Sequence, residues 1–231
     1  MSTQFDYVEE NFRKISFRVN EAKDKYDRSG DIVEIMAVTK TVAPEIVNHA
    51  VSSCGIKLLG ENRVQEYLSK KDSYLPASVH FIGQLQSNKV KYIIDSVDMI
   101  HSVDSIKLAK EIDRHAQRIG KIQDVLVEVN IAGEESKGGV SPGELTDVLA
   151  QAAELPTIKV QGLMTIPPAV KSEKFLYEMQ KLYIDISDKK IDNINMSFLS
   201  MGMSGDYETA VKYGSNILRI GSALFGARIY K

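Results

Sequence analysis

Eight short apolar runs recur along this chain, and a segment with helical spacing follows each one. They cover residues 32–38, 57–60, 79–83, 98–103, 125–130, 158–164, 195–199 and 217–220. A strand that must run parallel to its predecessor cannot be reached by a tight hairpin, so this alternation implies parallel pairing with helical crossovers. Eight such units favour a closed (β/α)8 TIM barrel over an open doubly wound sheet. An open dinucleotide-binding sheet would carry a Gly-rich turn after its first strand, where this chain has Thr39-Lys40-Thr41. Start signals agree with the alternation: Pro44 suits a first helical turn, and Ser87 and Asp104 are expected caps. Ser141-Pro142-Gly143-Glu144 reads as a capping box.

Ahead of the first run, Phe5, Val8, Phe12, Ile15, Val19, Ala22 and Tyr26 recur at spacings of three and four. The first thirty residues are therefore expected to form one extra helix, ended by Arg28-Ser29-Gly30-Asp31. Sustained heptads would mean a coiled coil, but these last for about three, so packing on the barrel is the better expectation. No composition shift or linker interrupts the remainder. The expected organisation is one barrel domain over 1–231, with the helix at 1–30 packed against the barrel at 32–231.

Lys and Arg total 29 against 31 Asp and Glu, a balance that supports neither a nucleic-acid nor an anionic-membrane surface. The single cysteine, Cys54, suits a reducing compartment and sits where the second helix should end. Met1-Ser2-Thr3-Gln4-Phe5-Asp6 lacks the basic and apolar regions of a signal peptide, and no apolar stretch approaches ~18 residues. A cytoplasmic, non-membrane protein is expected.

Barrel enzymes place their chemistry at the C-terminal ends of the strands. Those positions hold Lys40, Glu61-Asn62, Gly83, Ser102, Asn130, Met164-Thr165, Ser200-Met201-Gly202 and Gly221-Ser222, a more polar and glycine-rich set than the strands feeding it. Lys40 directly follows an apolar strand. Partial burial there would lower its pKa, as a Schiff-base lysine requires; a solvated loop lysine is the alternative. Ser200-Met201-Gly202-Met203-Ser204 and Gly221-Ser222 follow strands seven and eight, where barrels frequently bind phosphate. Gly221 to Gly226 has half of a P-loop spacing, but Ala227-Arg228 replaces the required Lys-Ser/Thr. A lysine together with a phosphate loop is what a pyridoxal phosphate site contains. Arg219 lies inside the last strand, where a charge needs a partner: a strand carboxylate, Glu128 or Glu34, or a cofactor ring. The histidines His49, His80, His101 and His115 show no metal-ligand spacing; His80 is expected to be structural or to shape the mouth.

Ala37-Val38-Thr39-Lys40-Thr41, Gly60-Glu61-Asn62-Arg63-Val64-Gln65-Glu66 and His80-Phe81-Ile82-Gly83-Gln84-Leu85-Gln86-Ser87-Asn88-Lys89 occur in order. Ser136-Lys137-Gly138-Gly139, Gly162-Leu163-Met164-Thr165, Leu199-Ser200-Met201-Gly202-Met203-Ser204 and Arg219-Ile220-Gly221-Ser222-Ala223-Leu224-Phe225-Gly226 follow them. From about residue 32 onward the chain closely resembles the pyridoxal phosphate homeostasis protein family, whose fold is similar to the barrel domain of alanine racemase. The resemblance implies pyridoxal 5'-phosphate as cofactor, held as a Schiff base on Lys40. It implies Ser200, Met201, Gly221 and Ser222 around the phosphate and Arg219 at the pyridine nitrogen. Asn62 would line the ring pocket, and Met164 joins the expected cofactor contacts. A permanently protonated Arg at that nitrogen leaves the ring a poorer electron sink, which disfavours transaminase-like chemistry.

Two functions fit such a site. One is a non-catalytic protein that buffers and delivers the cofactor, with apo forms of pyridoxal phosphate enzymes as further partners and a monomer as the expected state. The other is an amino-acid racemase, which needs acid/base groups on both faces of the substrate Cα. In racemases of similar fold the opposing tyrosine comes from an additional C-terminal domain, whereas this sequence runs only to Tyr230-Lys231. The carrier is therefore the expected function.

Overall fold

The computed structural model describes residues 4–134 and 136–227. Helix α1 (Asp6–Lys25) comes first and buries Val8, Ile15, Val19 and Ala22, the expected stripe. It is shorter than thirty residues because Asp27 turns into the left-handed region, which breaks the helical path. Asn11 Nδ2 donates to Leu224 O at 3.0 Å, tying the helix to the far end of the chain. Tyr230-Lys231 lies outside the described residues.

The alternation then runs β1 (Glu34–Val38), α2 (Pro44–Cys54), β2 (Leu58–Glu61), α3 (Val64–Lys70) and β3 (Ser78–Phe81). It continues through β4 (Met99–Val103), α4 (Ile106–Arg118), β5 (Gln123–Glu128), α5 (Leu145–Ala153), β6 (Ile158–Met164) and α6 (Ser172–Asp188). It ends with β7 (Ile194–Ser200), α7 (Tyr207–Lys212), β8 (Ile217–Ile220) and α8 (Ser222–Phe225). The strands are parallel and close in sequence order, β8 returning to pair with β1, so the expected (β/α)8 barrel is the observed one.

Three local expectations change. The segment opened by Ser87 tightens into a 3-10 helix, Ser87–Tyr92. Lys121 Nζ takes the Ile94 and Val97 carbonyls just beyond it, supplying partners that a longer α-helix would otherwise provide. Ser105, not Asp104, caps α4: its extended backbone lets the hydroxyl accept from Leu108 N–H at 3.3 Å. The capping box before α5 does not form, because the Ser141 hydroxyl donates to the Glu144 carboxylate and the helix starts only at Leu145.

Side chains alternate across a strand, and this sorts the core into two shells. The larger shell lies between strands and helices. Inside the barrel, Met36, Val38, Leu58, Ile82 and Ile217 pack together, as do Met99, Leu126 and Met164, with Phe198 touching both groups. The interior is thus a packed plug, and the polar chemistry is displaced to the mouth above it. The β7–β8 seam is stitched by loop side chains. Ser215 Oγ donates to Met201 O at 2.7 Å and Asn216 Oδ1 accepts from Leu199 N–H at 2.8 Å. That seam sets Ser200 and Arg219 side by side.

Candidate functional site

Following the inward side of each strand upward leads to the expected positions. Met36 and Val38 belong to the plug, and Lys40 continues the same parity two residues later. Lys40 is half-buried and lines a cavity of about 580 Å³ with Val38, Thr41, Gly221 and Ser222. The lysine and the glycine-serine turn, separated by most of the sequence, become neighbours because β1 and β8 close the barrel. Gly221 and Ser222 open α8, whose first N–H groups have no partner within the helix. Ala223 N–H donates to Ser204 Oγ at 3.1 Å, so the turn after β8 is bound to the loop after β7. Tyr7 of α1 also lines the cavity. Sequence reasoning missed it, because Tyr7 lies off the apolar stripe.

Beneath the mouth lies a continuous polar layer. Arg219 is 3% exposed. It donates from Nη1 to Ser200 Oγ at 2.7 Å and from Nη2 to Thr165 O at 2.8 Å. Ser200 Oγ also meets His101 Nδ1 at 3.1 Å, and His101 Nε2 shares a 2.9 Å hydrogen bond with His80 Nδ1. Burial pulls Arg219 down to about 10, against the opposing influence of Glu128 and Asp206, and leaves it charged at neutral pH. Burial pushes Glu128 up to about 7, Arg219 holding it lower than it would otherwise be. Burial lowers His80 to about 4 and His101 well below the ordinary range, so both rings are neutral. Of the two carboxylates considered for Arg219, the structure favours Glu128; Glu34 is exposed at the start of β1.

The remaining expected residues divide. Asn62 sits above β2, and Gly83 makes room for it: a Cβ on Gly83 would stand 2.0 Å from Asn62 O. Met164 is fully buried in the interior plug, just below the polar layer. The Ser200 hydroxyl is engaged by Arg219 and His101. The Met201 side chain is buried in the outer shell, and its carbonyl accepts from Ser215. Asn130 folds its own loop, donating to Glu134 O at 2.8 Å and accepting from Glu134 N–H.

An amine and a short helix opening beside a hydroxyl therefore line one cavity, and a buried guanidinium sits two residues before that opening, at the end of β8. That donor set fits pyridoxal 5'-phosphate: an aldehyde for the amine, a phosphate for the turn, and a ring nitrogen for a fixed cation. Comparison with known proteins agrees. Residues 11–229 match the family described as alanine racemase, N-terminal domain. The pyridoxal phosphate homeostasis protein of Aquifex aeolicus is 41% identical over 96% of this chain and 98% of its own. PipY of Synechococcus elongatus PCC7942, solved with PLP bound, superposes with a TM-score of 0.76 at 29% identity, over 90% of this chain and 100% of its own. Alanine racemase of Clostridium difficile 630 shares the fold alone, with a TM-score of 0.74 at 16% identity over 96% of this chain and 58% of its own.

Proposed function

The chain belongs to the pyridoxal phosphate homeostasis protein family, built on the alanine racemase N-terminal domain, and from that membership we propose that it binds pyridoxal 5'-phosphate through Lys40 and acts to hold and deliver it. The observation that carries this reading is the single cavity lined by both Lys40 and Gly221-Ser222. When bound, the cofactor supplies an aldehyde that condenses with an amine and a ring that draws electrons from the resulting bond. Lys40 offers the amine. Gly221 and Ser222 offer backbone N–H groups and a hydroxyl to the phosphate, and Ser204 joins them through its tie to Ala223. Arg219, fixed by Ser200 and Thr165, would offer a positive charge to the ring nitrogen, and the neutral His80 and His101 would add no competing cation. Asn62 would border the ring from above β2, and Met164 would support it from within the plug. Ser200 contributes through Arg219, and Met201 through its backbone at the β7–β8 seam. Delivery to apo pyridoxal phosphate enzymes, a monomeric state, a cytoplasmic location and a single barrel domain over 1–231 complete the proposal. Among the described residues no helix is long and apolar enough to cross a membrane.

Visible-region absorbance of the protein mixed with pyridoxal 5'-phosphate tests the assignment. A band that is present in the wild type and absent from Lys40→Ala is expected; a band surviving Lys40→Ala would overturn the role of Lys40. The racemase reading retains one specific support, the Tyr7 phenol on the wall of the Lys40 cavity, a candidate for the second proton-transfer group. A coupled D-alanine assay decides it: robust turnover abolished by Tyr7→Phe would replace the carrier with an enzyme.

A further inference from the structure

The loop that carries Lys40 is held in an unfavourable shape by side chains from the next βα unit. Thr41 has φ 64, a left-handed conformation that a β-branched residue rarely adopts. Its N–H donates to Glu66 Oε1 at 2.5 Å. Glu66 is also paired with Lys70 one helical turn later, and Lys70 Nζ reaches back to donate to Thr39 O at 3.1 Å. On the other side of the loop, the Thr39 hydroxyl donates to Glu61 Oε1 at 2.7 Å. The residues before and after Lys40 are thus each pinned from β2 or α3. An i,i+4 Glu–Lys pair on a helix is ordinarily a solvated surface feature. Here the two side chains are only 18% and 11% exposed, and both spend hydrogen bonds on the neighbouring loop. Burial raises the Glu66 carboxyl, but Lys70 and the Thr41 N–H more than offset this, so it remains the charged acceptor.

We propose that Glu66 and Lys70 are positioning residues that clamp Thr39-Lys40-Thr41, holding Thr41 left-handed so that the Lys40 amine is presented to the cofactor cavity. The clamp accounts for Glu66 of the Gly60-Glu61-Asn62-Arg63-Val64-Gln65-Glu66 motif, which contributes no atom to the cavity wall. It rests on the proposed function, because presentation of the amine matters only if the amine takes the cofactor.

The test uses the full chain and the variants Glu66→Ala, Glu66→Gln, Thr41→Gly and Glu66→Ala/Thr41→Gly. Readouts are the dissociation constant for pyridoxal 5'-phosphate from its visible band, amide exchange at residue 41 in the apoprotein, and the thermal midpoint. Losing one charge-assisted hydrogen bond should weaken binding by about tenfold in Glu66→Ala and speed exchange at residue 41. The midpoint should move little. Glu66→Gln keeps an acceptor oxygen and should retain most of the binding. Thr41→Gly removes the Cβ that disfavours the left-handed turn, so the double variant should recover most of what Glu66→Ala loses. Wild-type binding and exchange in Glu66→Ala would overturn the clamp, as would binding that Thr41→Gly fails to restore. Should Glu66→Ala not fold, Lys70→Met is read on the same two scales with the same criteria. If the wild-type chain takes up no pyridoxal 5'-phosphate, the proposed function fails, and exchange at residue 41 alone decides the clamp.

Discussion

Replacing Glu128 by Gln probes the charge balance beneath the mouth, and its consequence is a pH dependence of known sign. Burial raises the Glu128 carboxyl from 4.5 to about 7, with Arg219 pulling it down and Asp104 adding to the rise. The folded chain therefore holds that proton more tightly than the unfolded chain. Below about pH 4.5 both states are protonated and the group costs nothing; stability is then lost as pH climbs towards 7. The gap between the two values corresponds to a loss on the order of 3 kcal/mol above pH 7. His80 has the opposite slope. Burial lowers it from 6.5 to about 4, so its contribution is intact above 6.5 and is lost as pH falls towards 4. His101, also held below its ordinary range, adds to the His80 slope, so where the windows overlap the Glu128 share is hidden within a net rise of stability with pH. Glu128→Gln removes that share. Its unfolding free energy relative to wild type should rise by roughly 3 kcal/mol between about pH 4.5 and about pH 8, whatever constant offset the substitution brings. The chain contains no Trp, so urea unfolding of the apoprotein is best followed by far-ultraviolet circular dichroism at a series of pH values. A difference that stays constant with pH would refute the net rise of the Glu128 carboxyl, and with it the reasoning that burial outweighs the attraction of Arg219 there.

Gly83→Ala places a Cβ 2.0 Å from Asn62 O, a contact that only a backbone shift can relieve, so about 2 kcal/mol of stability should be lost together with cofactor affinity. Denaturation midpoints and titration of the visible band check both halves; a wild-type midpoint would show the strands to be looser than described. Ser200→Ala removes the hydroxyl that accepts from Arg219 Nη1 and is hydrogen-bonded to His101, and should cost about 1–3 kcal/mol by leaving a buried charged donor unsatisfied. It should also shift the visible band of the loaded protein if Arg219 faces the ring as proposed, since the guanidinium loses one of its anchors. An unmoved band would place Arg219 away from the ring.

The barrel and the ends of its site were legible from the sequence for one physical reason. A strand buried on both sides must be apolar along its length, so a polar residue just past its end stands out. That contrast exposed Lys40 after β1 and Gly221-Ser222 after β8, and once the strands were counted, closure made them neighbours. Relations across strands were not legible in the same way. That His80 meets His101, and His101 meets Ser200, depends on register among β3, β4 and β7. The ladder from β4 to β7 contains shifts that no single-strand alternation reveals. Glu128 could be named as one of two partners for Arg219, but choosing it over Glu34 required knowing that one lies at the inner top of its strand and the other at the exposed bottom. Tyr7 and Glu66 were hidden for a different reason. Each has a sufficient local explanation, the polar flank of an amphipathic helix for one and an i,i+4 pair for the other, so helical periodicity gives no cause to look further. Both reach the Lys40 end of the barrel only in three dimensions, Tyr7 on the cavity wall and Glu66 at the Thr41 N–H. The residues proposed to bear the chemistry are thus marked by breaking a local pattern, whereas the one proposed to position it satisfies its local pattern and is visible only in three dimensions.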